Sequence, residues 1–508
     1  MTLSTHLRAL GIAAVAALAP LAAPGAQAAG TVTVAVALDP GSWDPIDTFI
    51  VDWASAATNI YDGLTSRGPD MKVKPALATS WEFLDNNNRI RFKLRENVTF
   101  HNGEPFNAAA VKFTFDRLLG DEGRKGPQQS NYNAIERVDV VDDNTVDFIM
   151  KQPDPVLLTK LAGYGGMIVP PKYIQEKGDE YFNTHPVGTG PFKFVAYDPK
   201  VSLSLEAFPG HWGGAPKIDK LVFRMIAEAN TQIAELQAGR IDIATLIPFG
   251  LAPTVEKSAD LKLVSITGPT VVALRLNTKT GITKDVNVRK AMIMGIDRDA
   301  IIKAVLLGHA KPIASFQADL SFGYDPNLKP LPFDLAKAKQ MLQQAGVPAG
   351  SPVKIDFRGN DATFREVAQA AAGYLQALGL KPSLQPYETP VLLNDIIPGG
   401  KTGEAWHNAW GGWTFDYDNT AYLMYHSGEK WNPYDNDPKL NALLEKQRSI
   451  YDVKEREGIL QEIGRYVADQ ALEIPLYNQN TIYGVNKRLQ NFVPPADRRF
   501  RLTDVTVN

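Results

Sequence analysis

The chain contains no cysteine in 508 residues, and this limits what can stabilise it. Disulfide scaffolds, thiolate zinc sites, iron–sulfur clusters and cysteine nucleophiles are all excluded, as is a lipid-modified N-terminal cysteine. Stability must then come from a buried core, for which 44% hydrophobic residues and a length of about three domains are sufficient. The formal net charge of -3 gives no electrostatic footprint for nucleic acid.

The first thirty residues have the pattern of an export signal. Arg8 precedes an apolar run from Leu10 to Ala23, and Ala26-Gln27-Ala28 places small residues where a signal peptidase cleaves. The run is too short to span about 30 Å of hydrocarbon as a helix. We therefore expect residues 1–28 to be a signal peptide cleaved after about Ala28, which makes the mature protein periplasmic.

The mature chain contains both strand-like and helical sequence patterns. Residues 31–38 read as an apolar strand, and two short strands around Asp85–Asn88 predict a hairpin. Asn107 predicts the start of a helix that ends at Gly120. Longer helical patterns follow in the second half, including one over Val288–Leu307. These features predict an α/β protein of several domains.

No catalytic or metal-binding constellation is found in the sequence. The seven histidines show no pair at i, i+4. Gly399-Gly-Lys-Thr402 lacks the earlier glycine of a phosphate loop, and Asp416-Tyr-Asp-Asn419 lacks the glycine and the glutamate of a calcium loop. We therefore predict neither an enzyme nor a cofactor, and no metal site.

One segment combines aromatic side chains, glycines and a carboxylate. Three of the eight tryptophans, Trp406, Trp410 and Trp413, lie within eight residues, next to Gly411 and Gly412. Glycines let a ligand approach the backbone, Trp413, Phe415 and Tyr417 offer apolar walls, and Asp416 offers a fixed negative charge. Such a group is suited to an organic cation such as a free amino terminus. Trp406 is interpreted instead as a packed core residue.

Three stretches in order resemble one family, the extracytoplasmic solute-binding proteins of peptide-type ABC importers, which include the dipeptide- and oligopeptide-binding proteins. The first stretch runs from Lys74-Pro-Ala-Leu-Ala to Ala110-Val-Lys-Phe-Thr-Phe115, the second from Pro186-Val-Gly-Thr-Gly-Pro-Phe192 to Leu236-Gln-Ala-Gly-Arg-Ile-Asp242, and the third from Asp285-Val-Asn-Val-Arg-Lys-Ala291 to Gly295-Ile-Asp-Arg298. The match covers essentially all of residues 31–490.

The resemblance implies a two-lobed periplasmic binding protein with a hinge and a third, α+β domain inserted in the first lobe. Placed on this chain, lobe I comprises 29–66, 187–270 and 481–508, the inserted domain 67–186, and lobe II 271–480. The hinge falls near 268–272 and 478–484. The implied function is capture of a small peptide between the lobes and its delivery to the membrane permease. We expect a monomer, because no segment of the sequence has the pattern of an oligomer interface.

The resemblance also implies site residues. In peptide binders of the family, an Asp in a Trp-x-x-Asp segment receives the ligand's α-amino group, a role that Trp413-Thr-Phe-Asp416 places on Asp416, with Trp413 as a wall. Arg365 lies near the position of a basic residue for the carboxylate, with a solvated helix-face role as its alternative. Trp43 lies where lobe I meets ligand, or packs in the core.

The sequence departs from the family directly after Asp416. Peptide binders continue there with an acidic residue and proline, whereas Asp418-Asn419-Thr420 follows here. The alternative ligand is therefore a non-peptide solute on the same scaffold, such as an opine, an oligosaccharide, glutathione or a metal chelate.

Overall fold

The computed structural model describes residues 30–508. The predicted signal peptide lies outside the described residues. The strands are β1 (Thr31–Val36), β2 (Thr65–Arg67), β3 (Val73–Pro75), β4 (Ala78–Leu84), β5 (Arg89–Leu94), β6 (Ile135–Asp142), β7 (Thr145–Met150), β8 (Phe192–Asp198), β9 (Ser202–Ala207), β10 (Lys220–Met225), β11 (Ile243–Ala244), β12 (Leu261–Leu276), β13 (Ala310–Pro312), β14 (Pro352–Arg358), β15 (Lys381–Tyr387), β16 (Ala405–Gly411), β17 (Glu473–Asn486), β18 (Leu489–Gln490) and β19 (Thr506–Val507).

The helices lie mainly on the faces of the sheets, and the longest are in the second half of the chain. They are α1 (Val51–Ile60), α2 (Ala108–Leu119), α3 (Asp121–Lys125), α4 (Leu157–Leu161), α5 (Pro171–Lys177), α6 (Asp179–Thr184), α7 (Ala229–Gln237), α8 (Ala252–Glu256), α9 (Val286–Met294), α10 (Arg298–Val305), α11 (Leu335–Gln344), α12 (Ala362–Ala377), α13 (Thr389–Val391), α14 (Tyr417–Tyr425), α15 (Pro438–Gln447) and α16 (Val453–Gln470).

Two long strands connect the halves of the molecule. The main sheet has the order β15-β14-β16-β12-β17-β11-β1-β10-β9-β8, and β13 adds to β17. The antiparallel pair β12–β17 belongs to both lobes, and its register shifts between Thr267 and Val271. At this shift the Asn478 side-chain amide donates to the carbonyls of Gly268 and Thr270, both at 2.9 Å. The interruption lies within the predicted hinge segments, and it confirms the two-lobed α/β prediction.

Each lobe has its own core. In lobe I, β1, α1 and β8 to β10 pack with the C-terminal segment around Trp53, Tyr61 and Phe223. Lobe II buries both faces of its part of the sheet, one against α9 to α12 and the other against α14 to α16. The core against α9 to α12 also continues past β12 and β17 onto α7 and α8 of lobe I, so the lobes share apolar packing next to the crossing strands.

A separate four-stranded antiparallel sheet, in the order β4-β5-β7-β6, lies between residues 78 and 150. It has a third core, with α2 packed on one face around Phe92, Phe115 and Phe148. The predicted hairpin is its β4–β5 pair, which turns at Asp85–Asn87. The sheet lies inside the stretch 67–186 that the sequence assigns to an inserted domain, and the domain boundaries stay predictions.

Local signals in the sequence account for several helix ends. The Asn107 side chain accepts a hydrogen bond from the Ala110 amide and starts α2, as predicted. The pattern over Val288–Leu307 is wrong as a single helix, because Asp297 caps a new helix by accepting from the Ala300 amide at 2.9 Å. Gly295 ends the first helix, where a Cβ would lie 2.9 Å from the Leu378 side chain.

Among residues 30–508, no helix combines the length and the apolar character needed to cross a membrane.

Candidate functional site

The edge of the lobe II sheet that faces lobe I is formed by the carboxyl ends of its parallel strands. β14 runs parallel to both β15 and β16, so the loops that follow β14 and β16 emerge at the same edge. In open α/β sheets ligands bind outside the carboxyl ends of the strands. The loop after β16, residues 412–416, contacts lobe I directly, which places this edge in the cleft.

Trp413 is the main aromatic contact between lobe II and the opposite wall. Its ring lies edge-on to Phe49, with centroids 5.5 Å apart, and to Tyr164 at 5.8 Å. Its carbonyl accepts hydrogen bonds from Arg67 Nη1 at 2.7 Å and from Arg499 Nη2 at 3.2 Å. The loop is thus fixed by two guanidinium groups as well as by aromatic packing.

Phe415 also belongs to the contact between the lobes. It is only 4% exposed, packs with Met71 and Ala496, and has the guanidinium of Arg67 5.4 Å from its ring centre. Its φ of 53° lies in the left-handed region, which a non-glycine residue adopts at some cost. This backbone conformation turns the chain so that Asp416 begins the next helix.

Asp416 is paired within the protein. Its side chain caps α14 by accepting from the Asp418 amide at 3.0 Å. The guanidinium of Arg456 holds both of its carboxylate oxygens, at 2.6 and 2.8 Å. Both side chains are buried, and despite the burial the charge of Asp416 raises the pKa of Arg456. The negative charge predicted to receive an amine is therefore already neutralised.

The second carboxylate of this segment is paired in the same way. Arg448 donates to both oxygens of Asp418, at 2.7 and 3.0 Å, and the side-chain amide of Gln447 also donates to Asp418. Burial favours the neutral carboxyl group, yet the Arg448 charge lowers the pKa of Asp418. Two carboxylates and two guanidinium groups thus form one neutral cluster at the start of α14. We call Asp416, Asp418, Arg448 and Arg456 the paired cluster.

A contrasting group lies at the end of β14. Arg358 is half-buried, its guanidinium lies 5.3 Å from the Phe364 ring centre, and its Nε has no partner. No carboxylate of residues 30–508 lies within ion-pair distance of it. Burial lowers the pKa of Arg358, and Asp361 opposes that shift. A half-buried guanidinium with no counter-ion is chemically suited to bind an anion.

His407 lies beside this cation. Its ring is 4.3 Å from Phe364, and neither ring nitrogen has a hydrogen-bond partner among the described residues. Burial first, and the charge of Arg358 second, lower its pKa to about 3, so the imidazole is neutral at pH 7. We call Arg358 and His407 the unpaired pair.

Sequence reasoning missed the unpaired pair. The available signal was position, because Asp356-Phe-Arg358-Gly359 ends a strand directly before the helix α12, and charged residues at such ends face the ligand edge. The sequence instead singled out Arg365, which is exposed and donates only to the Gly359 carbonyl at 2.5 Å. In the structure Arg365 is a solvated residue in the first turns of α12.

Two further predicted site residues are core residues in the structure. Trp43 is 1% exposed, packs edge-on to Tyr197 and belongs to the lobe I core, so it does not line the cleft. Tyr417, the first residue of α14, is also 1% exposed and packs in the lobe II core. A core role for Trp43 is the alternative that the sequence left open, and the position of Tyr417 beside Asp416 does not show that its ring faces the core. Trp406 is buried against Tyr434, as interpreted.

No group of three or more His, Asp or Glu side chains suited to a metal ion occurs within residues 30–508.

Two lobes joined by crossing strands, with aromatic and charged groups on the facing edges, define a hinged solute-binding protein. The family model for bacterial extracellular solute-binding proteins, family 5, matches residues 72–432. The chain belongs to this family, the substrate-binding components of peptide-type ABC importers. Its relatives are transport proteins that bind a substrate, and their permeases lie in the membrane.

Full-length similarities agree with this assignment. The chain is 28% identical over 498 residues to the glutathione-binding protein GsiB of Pectobacterium atrosepticum, covering 96% of each chain. The structure of HbpA2 from Haemophilus parasuis matches with a TM-score of 0.87 and 25% identity, over 94% of this chain and all of that one. The ABC transporter substrate-binding protein CtaP of Listeria monocytogenes matches at 0.85 and 25% identity, over 95% and 100%.

Proposed function

We propose that the protein is exported, loses residues 1–28, and as a periplasmic monomer captures a small peptide between its lobes for a membrane permease. It carries out no chemistry on the peptide. The observation that carries the proposal is the unpaired guanidinium of Arg358 at the cleft edge of lobe II. It is suited to the C-terminal carboxylate, which every unmodified peptide has and which a buried guanidinium binds through charge-assisted hydrogen bonds.

The spacing at this edge suits a short ligand. Arg358 lies level with Asn408 on the neighbouring strand, because Asp356 pairs with Trp406. Gly411, where the contact loop begins, is three residues further on, about 10 Å at 3.3 Å per residue. The backbone distance from the level of Arg358 to the start of the contact loop at Gly411 therefore corresponds to about three residues of an extended ligand. The relation to glutathione-binding proteins supports a tripeptide-sized ligand.

In this proposal Trp413 and Phe415 form the apolar side of the cleft, and Asp416 contributes mainly through its pairing with Arg456. One lone pair of Asp416 Oδ2 stays free for a ligand donor, since that oxygen accepts only one hydrogen bond. Closure on the ligand is hinge bending at the register shift of β12 and β17.

A thermal-unfolding assay tests the proposal. The mature protein is unfolded and refolded to strip ligand, then heated with a mixture of di- to pentapeptides. Ligand at a hundred times its Kd adds about 2.7 kcal/mol of stability, a clear upward shift of Tm. A shift with an opine, an oligosaccharide or a nickel chelate, and none with peptides, would favour the non-peptide alternative. Peptide hydrolysis in the same mixture would contradict the absence of catalysis.

A further inference from the structure

We propose that the cleft selects ligands of net negative charge, namely small peptides or peptide-like acids with at least two carboxylates, and makes little use of a free α-amino group. This inference rests on the proposed function and specifies its substrate class. Its basis is the contrast between carboxylates that are paired inside the protein and guanidinium groups that are not.

The acidic side of the cleft gains little from a ligand ammonium. Asp416 Oδ1 already accepts from Arg456 and from the Asp418 amide, and Oδ2 accepts from Arg456 at 2.6 Å. Asp418 is held by Arg448 at 2.7 and 3.0 Å. An ammonium group arriving here meets a cluster of zero net charge that contains two fixed cations. Its attraction to one carboxylate is offset by repulsion from the neighbouring guanidinium.

The basic side lacks counter-ions on both walls. On lobe II, Arg358 has only Asp361 nearby, and that carboxylate accepts from the Phe364 amide at 3.0 Å as the cap of α12. Asp361 therefore also compensates the positive end of the helix dipole.

On the opposite wall, Arg67 donates from Nη1 to the Trp413 carbonyl, and its Nε and Nη2 have no partner. The nearest carboxylate, Asp497, forms its ion pair with Arg499 at 2.9 Å instead. Burial lowers the pKa of Arg67 and Asp497 opposes this shift. Two guanidinium groups, Arg358 at the end of β14 and Arg67 against the loop at Trp413, thus lack a full counter-charge.

The consequence is a preference for a second negative charge. A peptide with one carboxylate compensates Arg358 and leaves Arg67 without a counter-charge. A peptide with an acidic side chain brings one carboxylate to Arg358 and leaves a second in the positive field of Arg67, and partial burial of these cations strengthens the attraction.

The experiment is isothermal titration calorimetry at low and high salt, in which matched tripeptides are added to mature protein that has been freed of bound ligand. The set is Ala-Ala-Ala, Ala-Glu-Ala and Ala-Lys-Ala, each as free peptide, N-acetyl peptide and C-terminal amide. We expect Ala-Glu-Ala to bind at least about tenfold more tightly than Ala-Ala-Ala at low salt, and the advantage to shrink at high salt. N-acetylation should change Kd by less than about threefold, and amidation should weaken binding by about thirtyfold or more.

Two failures are distinguishable. Strong loss of affinity on N-acetylation, with no advantage for Glu over Lys, would overturn the charge selection and leave peptide capture standing. No heat with any tripeptide, in a protein that binds an opine, a sugar or a chelate, would overturn the proposed function as well. The variant Arg67→Gln sharpens the test, because it should reduce the Glu advantage while leaving the loss on amidation unchanged.

Discussion

The two ends of the lobe II edge differ in whether the protein itself supplies a counter-ion for the buried charge. In the paired cluster, two buried carboxylates each have a bidentate guanidinium partner from the same lobe. In the unpaired pair, a half-buried guanidinium and a buried imidazole have no such partner. A charge that the protein compensates itself contributes to the fold, and a charge left uncompensated costs free energy until a ligand compensates it. We therefore expect the ligand to be held at the unpaired pair.

The largest expected effect comes from breaking the paired cluster. Arg456→Met leaves Asp416 buried without its cation, and loss of one member of a buried pair typically costs about 3–5 kcal/mol. Urea unfolding should show that loss. The double variant Asp416→Asn with Arg456→Met should recover much of it, since no uncompensated charge remains. Unchanged stability in the single variant, with ligand affinity lost instead, would make Asp416 and Arg456 part of the ligand site.

The second-largest expected effect comes from changing the unpaired pair. Arg358→Gln removes the proposed anion receptor, and truncating one partner of a buried charge pair costs about 2–5 kcal/mol of binding. Peptide affinity should fall by at least about thirtyfold, while the free energy of unfolding stays within about 1 kcal/mol, because no carboxylate in the protein loses a partner.

The matched control is Arg365→Gln, a cation seven residues further along the chain that is exposed in the structure. The peptide affinity of this variant should stay within about twofold of wild type, since a solvated charge contributes little to binding. A large loss from Arg365→Gln and none from Arg358→Gln would transfer the receptor role to Arg365.

A third prediction concerns pH. Because the pKa of His407 falls from the ordinary 6.5 to about 3 in the folded protein, the unfolded chain binds a proton over that interval and the folded protein does not. Stability should decrease by about 1.4 kcal/mol per pH unit below pH 6.5 from this residue alone. Burial also lowers the pKa of His101, to about 4. This residue therefore also reduces the stability as the pH falls.

The comparison of wild type with His407→Gln isolates the effect. Urea unfolding at pH 7 and pH 5 should show a smaller acid loss in the variant, by about 2 kcal/mol. A bound anion should also reduce the loss in wild type, because it favours the protonated imidazole. An equal loss of unfolding free energy between pH 7 and pH 5 in variant and wild type would mean that His407 is not a buried neutral group.

The smallest effect concerns the contact between the lobes. Trp413→Leu removes two edge-on aromatic contacts, to Phe49 and Tyr164, each worth about 0.5–1.5 kcal/mol. Peptide affinity should weaken by a few-fold to tenfold. Phe49→Leu removes one of the two and should have the smaller effect. A larger loss from Phe49→Leu than from Trp413→Leu would contradict this, because Phe49 would then act other than through Trp413.

The sequence was sufficient for the class of fold and insufficient for the roles of individual charges. The strand patterns and the Asn107 cap are local, so they predicted the hairpin-rich sheet and the start of α2, whereas the two lobes followed from the resemblance that the ordered motifs carry. The partner of Asp416 lies forty residues away on α16, and His407 meets Phe364 across a strand–helix contact. Only tertiary structure shows which carboxylate is already neutralised and which guanidinium is not.

The central claim is that Arg358 receives the ligand's C-terminal carboxylate. The most direct test is a cycle of four titrations, in which wild type and Arg358→Gln each bind Ala-Glu-Ala and its C-terminal amide. We predict that amidation costs wild type at least about 2 kcal/mol and costs the variant almost nothing, because the two changes remove the same contact. An equal loss on amidation in both proteins would contradict the claim and place the carboxylate elsewhere in the cleft.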